Sequence, residues 1–238
     1  MSPIQNPIKR LPVKGSKSFA SLRVVPLTLY HVDVWMHQIQ PVINRNYCSA
    51  ITDPKGRVRA DIGWDWYRIW DLASIHDLAF MGRTHRKTLR LCVVAVPDKP
   101  NVTEYDYFPV GMLTLVPKFR CNAPKEGDRA FTWFLSNAPK ETYDQYLKGK
   151  RIEGVAKMLL DCVVQSAYDI DGSGEMLLRA ATEGGKHLRK FYAECRLRQL
   201  KYSNGRITFF RRKYPEEYFM LSKANAKILS RCGDPLRE

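Results

Sequence analysis

The chain has 238 residues, enough for one large domain or two small ones, and its 45% hydrophobic content supports a buried core. Its 39 Lys and Arg against 24 Asp and Glu give a formal net charge of +15, a field that attracts nucleic acid, anionic membranes, acidic proteins or phosphorylated small molecules. No apolar run reaches the ~18 residues needed to cross a bilayer, no apolar signal region opens the chain, and the six cysteines form no C-x-x-C and no zinc-like spacing with a histidine. The expectation is a reduced, cytoplasmic protein with no membrane partner and no metal.

Residues 1–18 are polar, carry Pro3, Pro7 and Pro12, and read as an extended N-terminal arm. Phe19–Val25 alternates as a strand that Pro26 ends. Leu29, Val32, Met36 and Ile39 recur at helical spacing, so a helix is expected over Leu29–Gln40, capped by Thr28 and stopped at Pro41. Residues 41–63 carry little periodic signal beyond the turn Asp53-Pro54-Lys55-Gly56. Gly63–Phe80 is aromatic-rich, and the helical period puts Tyr67, Trp70, Ser74 and Leu78 on one side, either as core or as the lining of a pocket. Gly82–Arg90 is a basic loop with Arg83, Arg86, Lys87 and Arg90.

Leu91–Val96 and Tyr107–Val116 read as strands, the second with Gly111 at a close approach, and residues 117–128 as a loop. Arg129–Leu135 is a further strand. Next, Lys148, Lys150 and Arg151 surround a glycine-containing loop that runs into an apolar helix through Ala167, with Met158, Leu159, Cys162, Val163 and Ser166 at helical spacing. Amides at a helix N-terminus among cations suit a phosphate. Glu175–Thr182 reads as a short buried strand, followed by a helix bearing Tyr192. From Lys186 to Lys213 ten Lys and Arg face one acid, Glu194, and Asn204-Gly205 carries a hairpin signal. Tyr218–Leu221 reads as a last strand, and residues 223–238 as a polar tail with a short helix.

The spacing Arg151-x-x-Gly154-x-Ala156, placed after a strand and before a helix, a strand and a Tyr-bearing helix, resembles the coenzyme A loop of the GNAT acyltransferase superfamily. The match covers roughly residues 129–200. The resemblance implies an α/β fold: a mixed, mostly antiparallel sheet flanked by helices, with splayed central strands, over residues 19–222. It also implies acetyl-CoA, or another acyl-CoA, as cofactor. Its pyrophosphate would rest on the loop Arg151, Ile152, Glu153, Gly154, Val155 and Ala156. Backbone amides near Phe134, Leu135 and Ser136 would polarise the thioester carbonyl, and Tyr192 would protonate the departing thiolate. Glu183, Thr182, His187 and Asp128 are candidate bases.

The chain departs from the family's pattern at Gly185, where Asn is common, at Arg196 and Leu197, where Gly-Phe is common, and in the long segment 136–150 between strand and loop. Absence of G-x-S-x-G and G-x-x-x-x-G-K-[ST] removes serine-hydrolase and phosphate-loop NTPase readings. The leading expectation is an N-acetyltransferase acting on an anionic acceptor such as tRNA, aminoacyl-tRNA or DNA. The alternatives are a GNAT-like nucleic-acid- or protein-binding module without transfer, and a GNAT-like enzyme that modifies a nucleobase.

Overall fold

The computed structural model describes residues 3–48, 58–121, 127–201, 207 and 217–238. The Asn204-Gly205 hairpin, the turn at Asp53–Gly56 and the cations Arg206, Arg211, Arg212 and Lys213 lie outside the described residues. The strands are β1 (Arg10–Pro12), β2 (Phe19–Pro26), β3 (Leu89–Ala95), β4 (Phe108–Arg120), β5 (Asp128–Asn137), β6 (Met176–Arg179), β7 (Arg198–Gln199) and β8 (Tyr218–Leu221). The helices are α1 (Leu29–Val34), α2 (Gln40–Asn46), α3 (Trp66–Ala79), α4 (Lys140–Tyr146), α5 (Val155–Asp171), α6 (Gly185–Glu194) and α7 (Lys223–Arg231).

Among the described residues the strands form one sheet in the order β1-β2-β3-β4-β5-β6-β8-β7. Every neighbouring pair is antiparallel except β5 and β6, which run parallel. This is the α/β arrangement that the acyltransferase resemblance implies.

Helix α5 packs on β4, β5 and β6, and its apolar residues Val155, Met158, Leu159, Cys162 and Val163 are all buried. The close approach expected at Gly111 is present: a Cβ there would lie 3.0 Å from both Leu159 Cδ1 and Val155 Cγ1. A side chain at Gly111 would crowd Leu159 and Val155, which would have to give way where helix and strand pack closely. Asp65 caps α3 by accepting from the amides of Tyr67 and Arg68 at 2.9 and 3.2 Å, an interaction type that contributes about 1 kcal/mol.

Several expectations change. The first helix does not stop at Pro41. A π-helical turn, Trp35–Ile39, joins α1 to α2, and the Gln40 amide donates to Trp35 O, five residues back. Pro41 then falls in the first turn of α2, where its missing N–H costs nothing. On α3 the buried stripe is Trp66, Ile69 and Ala73, whereas Ile75 and Leu78 are more than 60% exposed. Of the expected side, Trp70 packs against the core and Ser74 is half-buried, Tyr67 and Leu78 are exposed, and none of the four lines the cleft described below. Strand β4 continues through Pro117 to Arg120, past the expected loop boundary, because a register shift between Val116 and Phe119 lets the proline sit off the ladder.

The expected arm also packs: Ile4, Ile8 and Leu11 are buried in the main core, and Arg10–Pro12 add the edge strand. At the other end Arg237, 6% exposed, donates to Asp161 Oδ1 at 2.7 Å and so pins the tail to α5.

Candidate functional site

Strand β5 carries the site because two things happen to it at one residue. Between Thr114 and Leu115 of β4 the register shifts, because Thr114 opposes Phe134 while Leu115 opposes Thr132, and Trp133 is the extra residue of a β-bulge on β5. Pairing with β6 covers Ala130, Phe131 and Thr132 and ends there, although β5 runs on to Asn137. A bulge bends and over-twists its strand, so β5 leaves β6 at Trp133 and a wedge opens between them. The expected splay of the central strands is this wedge.

A cleft of about 820 Å³ fills the wedge. One wall is β5 from Phe131 to Asn137. The opposite wall runs from Leu178 through Thr182 and Glu183 to His187 and Tyr192, and Arg59, Asp61 and Trp64 close the side. Trp64 meets Phe134 edge to face, with ring centroids 5.2 Å apart.

The phase of the β4–β5 ladder decides which amides face the wedge. Ala138 N–H donates to Val110 O at 2.9 Å, and Gly111, Met112, Leu113 and Thr114 oppose Asn137, Ser136, Leu135 and Phe134. In an antiparallel pair, bonded and non-bonded residues alternate. The amides of Phe134 and Ser136 are therefore turned to β4, and that of Leu135 is turned to the wedge. Of the expected Phe134–Ser136 set, only the Leu135 amide is turned to the cleft.

Helix α5 meets the cleft at Ala156. Its N-cap is Gly154 at φ 88°, with no side-chain cap and no acidic residue in the first turn. The left-handed backbone there is why glycine stands at this position. The first-turn amides Val155, Ala156 and Lys157 have no intrahelical partner, so the helix start is open to an anion.

The expected loop set divides. Glu153 N–H is taken by Pro12 O at 3.0 Å and Arg151 N–H by Gly149 O at 2.8 Å. Ile152 is buried and bridges Val13. The Arg151 guanidinium holds Asp144 at 2.9 and 2.6 Å. The Glu153 carboxylate lies 3.7 Å from Lys14 Nζ. Helix start and cleft thus meet at Ala156, whereas Arg151–Glu153 serve to hold the loop.

Tyr192 is 7% exposed, lines the cleft and packs between Phe191 and Phe219. Burial, with the charges of Cys195 and Asp61 adding to it, pushes its hydroxyl well above the ordinary tyrosine value. Its hydroxyl stays protonated at neutral pH and carries a proton that it can donate into the cleft. Among the candidate bases, Thr182, Glu183 and His187 line the cleft. Asp128 does not, being paired to Arg86 at 3.2 Å.

The sequence reading missed Arg59 and Asp61. Arg59 Nε and Nη2 donate to Asp61 at 2.8 and 2.6 Å, Nη2 also donates to Asn137 O at 2.7 Å, and Ser136 Oγ donates to Asp61 Oδ2. Burial alone would raise the Asp61 carboxyl, but Arg59's charge and hydrogen bonds, with Ser136, hold it below the usual carboxylate range.

No family model and no curated protein matches this chain. Solved structures do. A spermidine N-acetyltransferase SpeG chimera from Vibrio cholerae and hSSAT aligns at 12% identity and TM-score 0.43, over 87% of this chain and 98% of that one. A mutant AtaT toxin bound to the C-terminus of the antitoxin AtaR and acetyl-CoA aligns at 12% identity and TM-score 0.39, over 87% and 97%. The KacTA–DNA complex aligns at 11% identity and TM-score 0.38, over 67% and 84%. Likeness at this level says nothing about the chemistry of this chain.

The strand order and the wedge are the mixed, mostly antiparallel sheet with splayed central strands that the sequence resemblance implies. Among the described residues no His, Cys, Asp or Glu cluster could hold a metal, and no helix is long and apolar enough to cross a membrane.

Proposed function

We propose that this chain is a divergent GNAT member, an acyl-CoA-dependent transferase that moves an acetyl group to an amine. The observation that carries the reading is the coincidence at one cleft of three features: the wedge opened at Trp133, the uncapped start of α5 at Ala156, and the protonated Tyr192.

The residues present fit an acyl-CoA. The first-turn amides Val155–Lys157 would receive a phosphate, with no acidic side chain in that turn to oppose it. The wedge offers β5 backbone on one side and β6 on the other to a linear, amide-bearing chain. Bound there, the thioester supplies an acyl carbon open to attack. The Leu135 N–H would stabilise the charge that develops on its oxygen. The carbon–sulfur bond breaks as a carbon–nitrogen bond forms. Tyr192 gives its proton to the departing sulfur, and the amine proton leaves to Glu183, to His187 or to water.

The +15 net charge favours an anionic acceptor, and we rank nucleic acid first: tRNA, aminoacyl-tRNA or DNA. Lys186, Arg189 and Lys190 are exposed on α6, the helix that bears Tyr192. The basic loop at residues 82–90 contributes less than its composition implied. Arg86 pairs with Asp128, while Arg90 pairs with Asp77 at 2.6 Å and lies over the Trp70 ring.

Incubation of the protein with acetyl-CoA and either bulk tRNA or duplex DNA tests the reading, with thiol release and product mass as readouts. Acceptor-dependent thiol release with an acetyl mass on the acceptor is the expected result. Binding of acetyl-CoA without transfer to any acceptor would favour the binding-module alternative, and a mass other than acetyl on a base would favour nucleobase modification.

A further inference from the structure

The ion pair of half-buried Arg59 and buried Asp61 stands where β6 would have stood. Beyond Thr132 strand β5 loses its β6 partner, and the wedge-facing groups of Leu135 and Asn137 lose their ladder bonds. One of those groups is supplied from elsewhere: the Arg59 guanidinium donates to Asn137 O at 2.7 Å. The same guanidinium holds Asp61 through two bonds, and Asp61 accepts from the Ser136 hydroxyl. Both residues that follow Leu135 are thereby held from the side chain of one ion pair, one through its carbonyl and one through its hydroxyl.

The pair is itself braced. Gln40 Nε2 donates to Asp61 O at 2.8 Å, and Trp35 Nε1 donates to Gln40 Oε1 at 3.3 Å. Gln40 is 1% exposed and stands directly after the π-helical turn. The Arg59 guanidinium also lies over the Tyr47 ring, 5.6 Å from its centroid. All four Arg59 and Asp61 bonds to β5 and to each other run between buried or half-buried groups, where low dielectric strengthens them.

We infer that Arg59 and Asp61 are positioning residues: they fix residues 136–137 of the splayed strand and so aim the Leu135 N–H at the thioester carbonyl. The inference rests on the transferase reading above. Oδ1 of Asp61 accepts from Arg59 and Oδ2 accepts from both Arg59 and Ser136, so most of the carboxylate's acceptor capacity is taken up inside this network. That leaves it a poor proton acceptor and keeps the base role with Glu183, His187 or water. A donor displaced by about 1 Å from its productive position costs on the order of 10²-fold in rate. The pair thus matters for turnover although it need not touch the acyl group.

The test uses the full chain with carbonyl-¹³C acetyl-CoA and difference infrared spectroscopy, beside calorimetry with CoA. In the wild type the bound carbonyl should absorb at lower frequency than free thioester. The variant Arg59→Met with Asp61→Leu removes both charges together, which avoids leaving one buried and alone. It should bind CoA as wild type does and show the carbonyl near the free frequency. Should that variant fail to fold, Arg59→Lys serves instead. It keeps the charge but loses the planar fork, and a partial return toward the free frequency is expected. A wild-type carbonyl frequency in either folded variant overturns the inference while leaving the transferase reading intact. Failure of the wild type to bind acetyl-CoA at all overturns both.

Discussion

The amide of Glu153 donates to the carbonyl of Pro12 at 3.0 Å, and the amide of Lys14 returns a bond to Arg151 O at 2.8 Å. The N-terminal segment is thereby stitched to the loop that precedes α5. Leu11 belongs to the same contact: its Cδ2 lies 3.5 Å from where a Gly154 Cβ would be. The basic loop is shaped by chain from the opposite end of the sequence, and its own spacing carries no sign of that.

Substitution at Gly154 confounds backbone and ligand, since φ is 88° there. Gly154→Ala should cost about 1–2 kcal/mol for the left-handed backbone, read as a lowered urea midpoint. Ala156→Asp separates the two effects. A carboxylate in the first turn of a helix is neutral or stabilising by about 0.3–1 kcal/mol, so urea stability should hold or rise while acetyl-CoA affinity falls.

Tyr192→Phe keeps the ring that packs on Phe191 and Phe219 and removes the proton. Turnover should fall ~10²–10⁴-fold with cofactor affinity nearly unchanged. Steady-state kinetics beside calorimetry measures both, and wild-type turnover would move the acid elsewhere or make it water.

Arg196 sits at φ 66°, just past the end of α6. The family's pattern has glycine at this position, so the departure is one of side chain upon an unchanged backbone requirement. Arg196→Gly should stabilise the fold by about 1 kcal/mol, the usual penalty for an L-residue in this region being about 1–2 kcal/mol. Chemical denaturation decides it, and a destabilised variant would mean that the Arg196 side chain makes a compensating contact.

Asp61 gives a pH signature. Its folded pKa lies below the ordinary value, so its contribution is fully present above about pH 3.9, the unfolded value, and is lost as pH falls through the lower folded one. Asp61→Asn leaves half-buried Arg59 without its counter-charge and should cost about 3–5 kcal/mol at neutral pH. The gap between wild type and variant, followed by thermal melting, should close as pH drops below that range. A gap independent of pH would contradict the assigned ion pair.

If nucleic acid is the acceptor, Lys186→Gln with Arg189→Gln should make the salt dependence of binding shallower by about 0.7–0.9 per lost phosphate contact. Acetyl-CoA affinity should not change. Filter binding at several salt concentrations reads the slope, and an unaltered slope would take α6 out of the interface.

The elements that carry the cleft were legible where a short-range signal exists. Helix α5 follows from apolar spacing, Tyr192 from its place in the element order of the acyltransferase resemblance, and β8 from a run of four apolar residues. Long-range pairings had no such signal. Arg59 and Asp61 stand in a stretch without periodicity, and their partners Ser136 and Asn137 lie on another element. Trp133 reads as one more strand residue, because a bulge is set by the register of two strands and not by either one. Pro41 read as a helix stop because the rule assumes an α-helical ladder, whereas a π-helical turn moves the bond that proline would have broken. Arg86 and Arg90 read as a free basic run because the acids that neutralise them, Asp128 and Asp77, are supplied by β5 and α3.

Titration calorimetry with acetyl-CoA, on the wild type and on Ala156→Asp, tests the account most directly. It predicts saturable one-site binding to the wild type, lost in a variant that melts at or above the wild-type temperature. No binding to the wild type, or equal binding to a folded Ala156→Asp, would contradict the assignment of the α5 start and the β5–β6 wedge as an acyl-CoA site.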